Sequence, residues 1–103
     1  MAQRSREGKT MNIICRHLLI RGKVQGVYYR MTARNEAIAH GLSGWVRNRT
    51  DGCVEAVVNG PELAVRAFID WAFQGPPAAR VDAVEVEESE DASHTGFSMR
   101  STV

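Results

Sequence analysis

Arg21-Gly22-Lys23-Val24-Gln25-Gly26-Val27-Tyr28-Tyr29-Arg30 separates an apolar run, Ile13 to Ile20, from a segment with helical spacing, Tyr29 to His40. It therefore reads as a strand-to-helix loop. Gly22 and Gly26, four apart, let the backbone turn sharply and expose its N–H groups. The helix that follows points its first amides, and the positive end of its dipole, into the same space. Arg30 stands at that helix start and offers an oxyanion two donors at once. Such a loop suits a phosphate or a similar anion. It lacks Gly-Lys-Ser/Thr and the G-x-G-x-x-G spacing, so it is neither a P-loop nor a dinucleotide fingerprint. An ordinary βα connection with a surface arginine has the same outline, and the loop alone does not decide between them.

The flanking segments supply the frame. In the first strand, Ile13 to Arg21, Leu18 and Ile20 share one face and Cys15, His17 and Leu19 the other. The first helix gathers Ala33, Ala37 and Ile38 on one side and ends at His40-Gly41, a C-cap signal. Leu42 to Arg49 alternates Leu42, Gly44, Val46 and Asn48 with Ser43, Trp45, Arg47 and Arg49, as a second strand does. Thr50-Asp51-Gly52 is a hairpin turn. Cys53 to Asn59 is a third strand, with Val54, Ala56 and Val58 on one face. Gly60-Pro61-Glu62 opens a second helix, with proline at the first helical position. Its polar stripe is Glu62, Arg66, Asp70 and Gln74; the remainder, Leu63, Phe68, Ile69, Trp71 and Phe73, is expected to be buried. Gly75-Pro76-Pro77 stops it. Arg80 to Glu88 reads as a strand whose apolar phase shifts near Ala83, with Val84 and Val86 inward. Glu87 to Gly96 is an acidic, polar loop, and Phe97 to Arg100 is a short closing strand with Phe97 and Met99 on one face.

The order β-α-β-β-α-β, two crossovers flanking a hairpin, defines an α+β class: a ferredoxin-like sandwich with an antiparallel sheet, two helices on one face and a short extra C-terminal strand. In that topology the first two strands run parallel. Their C-terminal ends then lie at the same edge, so Asn48 faces the Gly22–Arg30 loop. An asparagine amide there can hold a water against a bound phosphate.

With 103 residues the chain suits one domain. A formal net charge of +1 argues against a nucleic-acid scaffold held by bulk electrostatics. No apolar run approaches membrane-spanning length. Residues 1–12 are polar and read as a flexible N-terminal tail, with residues 13–103 as the folded domain. Arg4, Arg6 and Lys9 have no apolar segment behind them, so a secretory signal is not expected and the cytoplasm is the default location. Two cysteines do not make a disulfide scaffold, and His17, His40 and His94 lack a paired metal spacing. The first and third strands are antiparallel neighbours in this fold, which sets Cys15 near Asn59 and Cys53 near Arg21. The thiols are then roughly 20 Å apart, beyond disulfide reach. Two free thiols are expected.

Gly22-Lys23-Val24-Gln25-Gly26-Val27-Tyr28-Tyr29-Arg30 resembles the acylphosphatase motif G-x-V-Q-G-V-x-F-R. Gly44-Trp45-Val46-x-Asn48-x-x-Asp51-Gly52-x-Val54-Glu55 resembles its partner, G-W-V-x-N-x-x-D-G-x-V-E. The likeness continues through Gly75-Pro76-Pro77-Ala78-Ala79-Arg80-Val81 and Phe97-Ser98-Met99-Arg100. Tyr29 stands where phenylalanine is usual, which leaves a hydroxyl to be placed. The resemblance implies hydrolysis of small acyl phosphates to a carboxylate and inorganic phosphate, without metal or cofactor. Carried over by position, Arg30 binds the phosphate and Asn48 orients the attacking water. The main chain of Gly22, Lys23, Val24, Gln25, Gly26, Val27, Tyr28 and Tyr29 forms the substrate cradle. Gln25 is expected to brace the loop, and Tyr28, Trp45 and Trp71 to serve packing. Asp51 belongs to the turn, and the three histidines are expected to be exposed bystanders. The expected partner is the small acyl phosphate itself, with no nucleic acid and no membrane, and the expected state is a monomer. An RNA-binding module on the same plan would want exposed aromatics on its central strands. Cys15, His17, Leu19, Glu55 and Val57 are poor stacking material. A non-catalytic domain that keeps the anion site is the remaining rival, separable by activity alone.

Overall fold

Residues 12–92 and 94–103 are described by the computed structural model. The expected tail lies outside them except at Asn12. That residue is tied down: its C=O accepts from the Glu62 N–H at 2.9 Å, and its Nδ2 donates to Glu62 Oε1 at 3.0 Å.

The elements are β1 (Ile13–Lys23), α1 (Tyr29–Ala39), β2 (Ser43–Asn48), β3 (Val54–Pro61), α2 (Glu62–Gln74), β4 (Arg80–Glu88) and β5 (Phe97–Met99). The sheet order is β4-β1-β3-β2-β5. β1 pairs antiparallel with β3 and β4, and β2 antiparallel with β3, so β1 and β2 run parallel as expected. β5 joins β2 in parallel, which makes the sheet mixed rather than wholly antiparallel. The direction follows from the path. β4 ends at the side of the sheet where β2 begins, so a strand entered from there runs with β2. Pro61 closes β3 and flanks α2, and Glu62 takes the first helical position instead.

Period-two patterning sorts the strands' side chains onto two faces. Leu18, Ile20, Val46, Val54, Ala56, Val58 and Phe97 form one core with Tyr29, Ala33 and Ala37 of α1 and with Val65, Phe68 and Ala72 of α2. The other face holds a small cluster of Cys15, Trp45 and Val57. There Trp45 Nε1 donates to Asp91 Oδ2 at 3.1 Å, and the Arg47 and Arg100 guanidinium groups lie 4.7 and 4.5 Å from its ring centre. The packing role expected of Trp45 holds. The helix stripes are narrower than expected: Ile38, Leu63 and Phe73 are 56, 72 and 55% exposed. Each helix lies on the sheet along one side only, so residues off that side stay in solvent whatever their hydropathy. Val84 packs on the core, but Val86 sits toward the end of an edge strand and is exposed.

The phase shift near Ala83 is a β-bulge. Arg21 pairs with Ala83 but Gly22 with Val81, which leaves Asp82 over. Gly22 has φ 133°, and a Cβ there would stand 2.1 Å from the Arg80 carbonyl oxygen. Gly22→Ala is therefore expected to destabilise the fold by about 3 kcal/mol, combining backbone strain with a clash against main chain. A urea midpoint equal to that of the wild type would refute this.

His17 is not a bystander. It is half-buried, and its Nε2 lies 2.7 Å from Glu55 Oε2, while Arg47 Nε donates to Glu55 Oε1 at 2.8 Å. Burial pushes the Glu55 carboxyl up, but the His17 and Arg47 hydrogen bonds outweigh it and hold the group below the ordinary glutamate range. The folded state thus keeps this carboxylate charged at acidities where the unfolded chain binds a proton. Its stabilisation is complete above the unfolded value of about 4.3 and is lost as pH falls through the depressed folded value. Glu55→Gln is expected to flatten the loss of stability below about pH 5. Parallel denaturation curves from pH 7 to pH 3 for the two proteins would refute the assignment.

Cys15 pairs with Asn59 across β1 and β3. Cys53 lies beside Arg21, whose Nη1 is 3.5 Å from its Sγ. Both cysteines are buried and free, as the register argument requires.

Candidate active site

The loop between β1 and α1 is shaped by two left-handed residues. Gly26 has φ 76° and Tyr28 has φ 68°. A tyrosine in that region carries strain, so its neighbours must hold it there. Thr32 does so: its N–H and Oγ1 donate to the Tyr28 C=O at 3.1 and 2.8 Å. Tyr28 occupies the N-cap position of α1 and provides no side-chain cap. Among the described residues, no hydrogen bond uses the N–H groups of Gln25, Gly26, Val27 or Tyr28. A run of unpaired amides before an uncapped helix start attracts an anion.

Gln25 fixes the loop from one side. Its Nε2 donates to the Arg49 C=O at 2.7 Å and to the Cys53 C=O at 2.8 Å, which ties the loop to the β2–β3 turn. Asp51 serves that turn by accepting the Cys53 N–H at 3.0 Å. Tyr29 fixes the loop from below. Its ring is buried, 5.1 Å from that of Trp71, and its Oη donates to the Ala72 C=O at 2.7 Å. The extra hydroxyl therefore links the start of α1 to α2, and burial pushes the phenol up.

A pocket of about 300 Å³ opens at this end of the sheet, lined by Val24, Gly26, Tyr28, Tyr29, Arg30, Met31, Asn48 and Met99. Arg30 and Asn48 thus meet across one space, because parallel β1 and β2 end on the same side. Arg30 is half-buried and forms no ion pair with a carboxylate among the described residues. Asn48 Oδ1 is buried and has no hydrogen-bond partner among the described residues. A buried acceptor in that condition is costly. Among the described residues, the lining includes no Asp, Glu or His.

The remaining residues of the expected cradle divide. Gly22 and Lys23 belong to β1 and pair with Val81 and Arg80 of β4. The Val24 and Val27 side chains enter the core. Tyr28, expected to serve packing, is 74% exposed at the pocket. Met31 and Met99 were not legible as pocket residues. Met31 follows Arg30 directly, which is the one available signal. Met99 arrives through the β2–β5 pairing, which joins residues some fifty positions apart.

Fold and pocket together define a small ferredoxin-like α+β domain whose pocket combines an arginine with an amide-exposing loop. A family model for acylphosphatases matches residues 16–99. The acylphosphatase of Acidovorax sp. (strain JS42) is 56% identical over 90 residues, 87% of this chain and 93% of that protein. Among solved structures, an acylphosphatase from Coxiella burnetii superposes with a TM-score of 0.83 at 37% identity, covering 86% of this chain and 94% of that one. HypF of T. kodakarensis aligns with a TM-score of 0.76 at 31% identity over 89% of this chain but 12% of its own. The chain belongs to the acylphosphatase family, hydrolases that act on acyl phosphates. Among the described residues, no helix is long and apolar enough to cross a membrane, and no group of three or more His, Cys, Asp and Glu is arranged to hold a metal.

Proposed function

We propose that this protein hydrolyses the carboxyl-phosphate anhydride of small acyl phosphates, with Arg30 and the loop amides holding the phosphoryl group and Asn48 orienting the water. The observation that carries this reading is the meeting of Arg30, the amide-exposing loop and Asn48 around one pocket. Preorganised donors stabilise the charge on the equatorial oxygens of a transferring phosphoryl group. The Asn48 amide hydrogen-bonds the water and so aims a lone pair at phosphorus. The P–O bond to the acyl group breaks, and the carboxylate leaves with the bonding pair. Of the two water protons, one stays on the new P–O bond and the other passes to a phosphoryl oxygen of the substrate. No protein base is required, because a carboxylate is a good leaving group. The acyl group lies against Tyr28, Met31 and Met99, an apolar rim of flexible side chains that tolerates varied shapes.

Benzoyl phosphate hydrolysis in the presence of a chelator tests the reading. Turnover above the uncatalysed rate, competitively inhibited by inorganic phosphate, is the expected result. A folded protein without turnover would leave an anion-binding domain instead.

A further inference from the structure

The four residues after β5 continue alongside β2. The Arg100 N–H donates to the Val46 C=O at 2.8 Å, and the Val103 N–H donates to the Asn48 C=O at 3.2 Å. The Thr50 N–H in turn donates to the Val103 C=O at 2.8 Å. Val103 therefore bridges Asn48 and the turn beyond it. Asn48 needs such support, because it is the last residue of β2. On its other side it faces Val54 of β3, and Gln25 holds the Arg49 and Cys53 carbonyls. Without Val103 the strand end would be held from one side only.

We propose that Val103 is a positioning residue for the reaction: its main-chain N–H and C=O, bonded to Asn48 and Thr50, fix the strand end that aims the Asn48 amide into the pocket. This rests on the reading of Asn48 as the residue that orients water. The contribution is made by main chain, since the Val103 side chain is 50% exposed. The phosphoryl group is held by Arg30 and the loop, whereas the Val103 main chain bonds Asn48 and Thr50. Its loss should therefore reach the chemical step and spare binding. Small misplacements of a positioned group cost up to a hundredfold in rate.

Val103→Pro removes the N–H, while Val103→Ala keeps it. The proline variant is expected to lower kcat for benzoyl phosphate roughly tenfold, with KM and phosphate inhibition within about twofold of wild type. The alanine variant should keep wild-type kcat. In an Asn48→Ala background the proline substitution should cost nothing further, because its effect runs through Asn48. If Val103→Pro does not fold, deletion of Val103 is read in the same way. Unchanged kcat, an alanine variant as slow as the proline one, or a proline effect that persists beside Asn48→Ala would each overturn the proposal. Full turnover in Asn48→Ala would remove the reading of Asn48 and this proposal with it. Lost turnover there beside normal kcat in Val103→Pro would remove Val103 alone.

Discussion

Arg30→Ala is expected to lower kcat/KM for benzoyl phosphate by roughly a thousandfold, about 4 kcal/mol of transition-state stabilisation. Arg30 lines the pocket from the first turn of α1 and pairs with no carboxylate among the described residues, so its donors are available to a ligand. A phosphoryl group in transfer spreads charge over its oxygens, and a planar fork of donors answers that distribution. Inorganic phosphate, which carries similar charge, should lose affinity in the same variant. Arg30→Lys keeps the charge but not the fork, and should recover only a small part of the loss. Because Arg30 is half-buried at a helix start, its removal leaves the core intact. Circular dichroism of the variant should match wild type. Near-normal kcat/KM in a folded Arg30→Ala protein would exclude the assigned role.

Asn48→Ala is expected to lower kcat by about a hundredfold or more while KM and phosphate inhibition stay near wild type. The split between the two parameters is the informative part. A residue that holds water contributes in the transition state, whereas one that holds phosphate contributes to binding as well. Asn48 Oδ1 is buried without a partner among the described residues, so its removal abolishes an unsatisfied polar atom and should not lower stability. A rise in stability together with a fall in kcat would be the pattern of a group kept for chemistry. Equal losses in kcat/KM and phosphate affinity would instead make Asn48 a phosphate ligand and leave the water without an orienting group.

Much of this was legible in the chain because the signals were local. Alternation in Ile13 to Arg21, Leu42 to Arg49 and Cys53 to Asn59 separated the two sheet faces correctly, and Thr50-Asp51-Gly52 fixed the register between β2 and β3. The antiparallel pairing of β1 with β3 sets Cys15 beside Asn59. The phase break near Ala83 coincides with the bulge opposite Gly22. Leu63, Phe73 and Ile38 misled, because hydropathy does not say which part of a helix the sheet reaches. His17 misled because its partner, Glu55, is thirty-eight positions away and is recognisable only across β1 and β3.

The sequence by itself determined the element order, the parallel run of β1 and β2, and hence the meeting of Arg30 with Asn48 at one end of the sheet. Those follow from local periodicity and from the few ways two crossovers can flank a hairpin. Tertiary structure alone decided the direction of β5, the arrival of Met99 at the pocket rim, the destination of the Tyr29 hydroxyl and the bridge from Val103 to Asn48. Each of these joins residues more than forty positions apart. No local pattern records which of many distant partners a free donor or an unpaired edge will find; packing of the whole chain makes that choice.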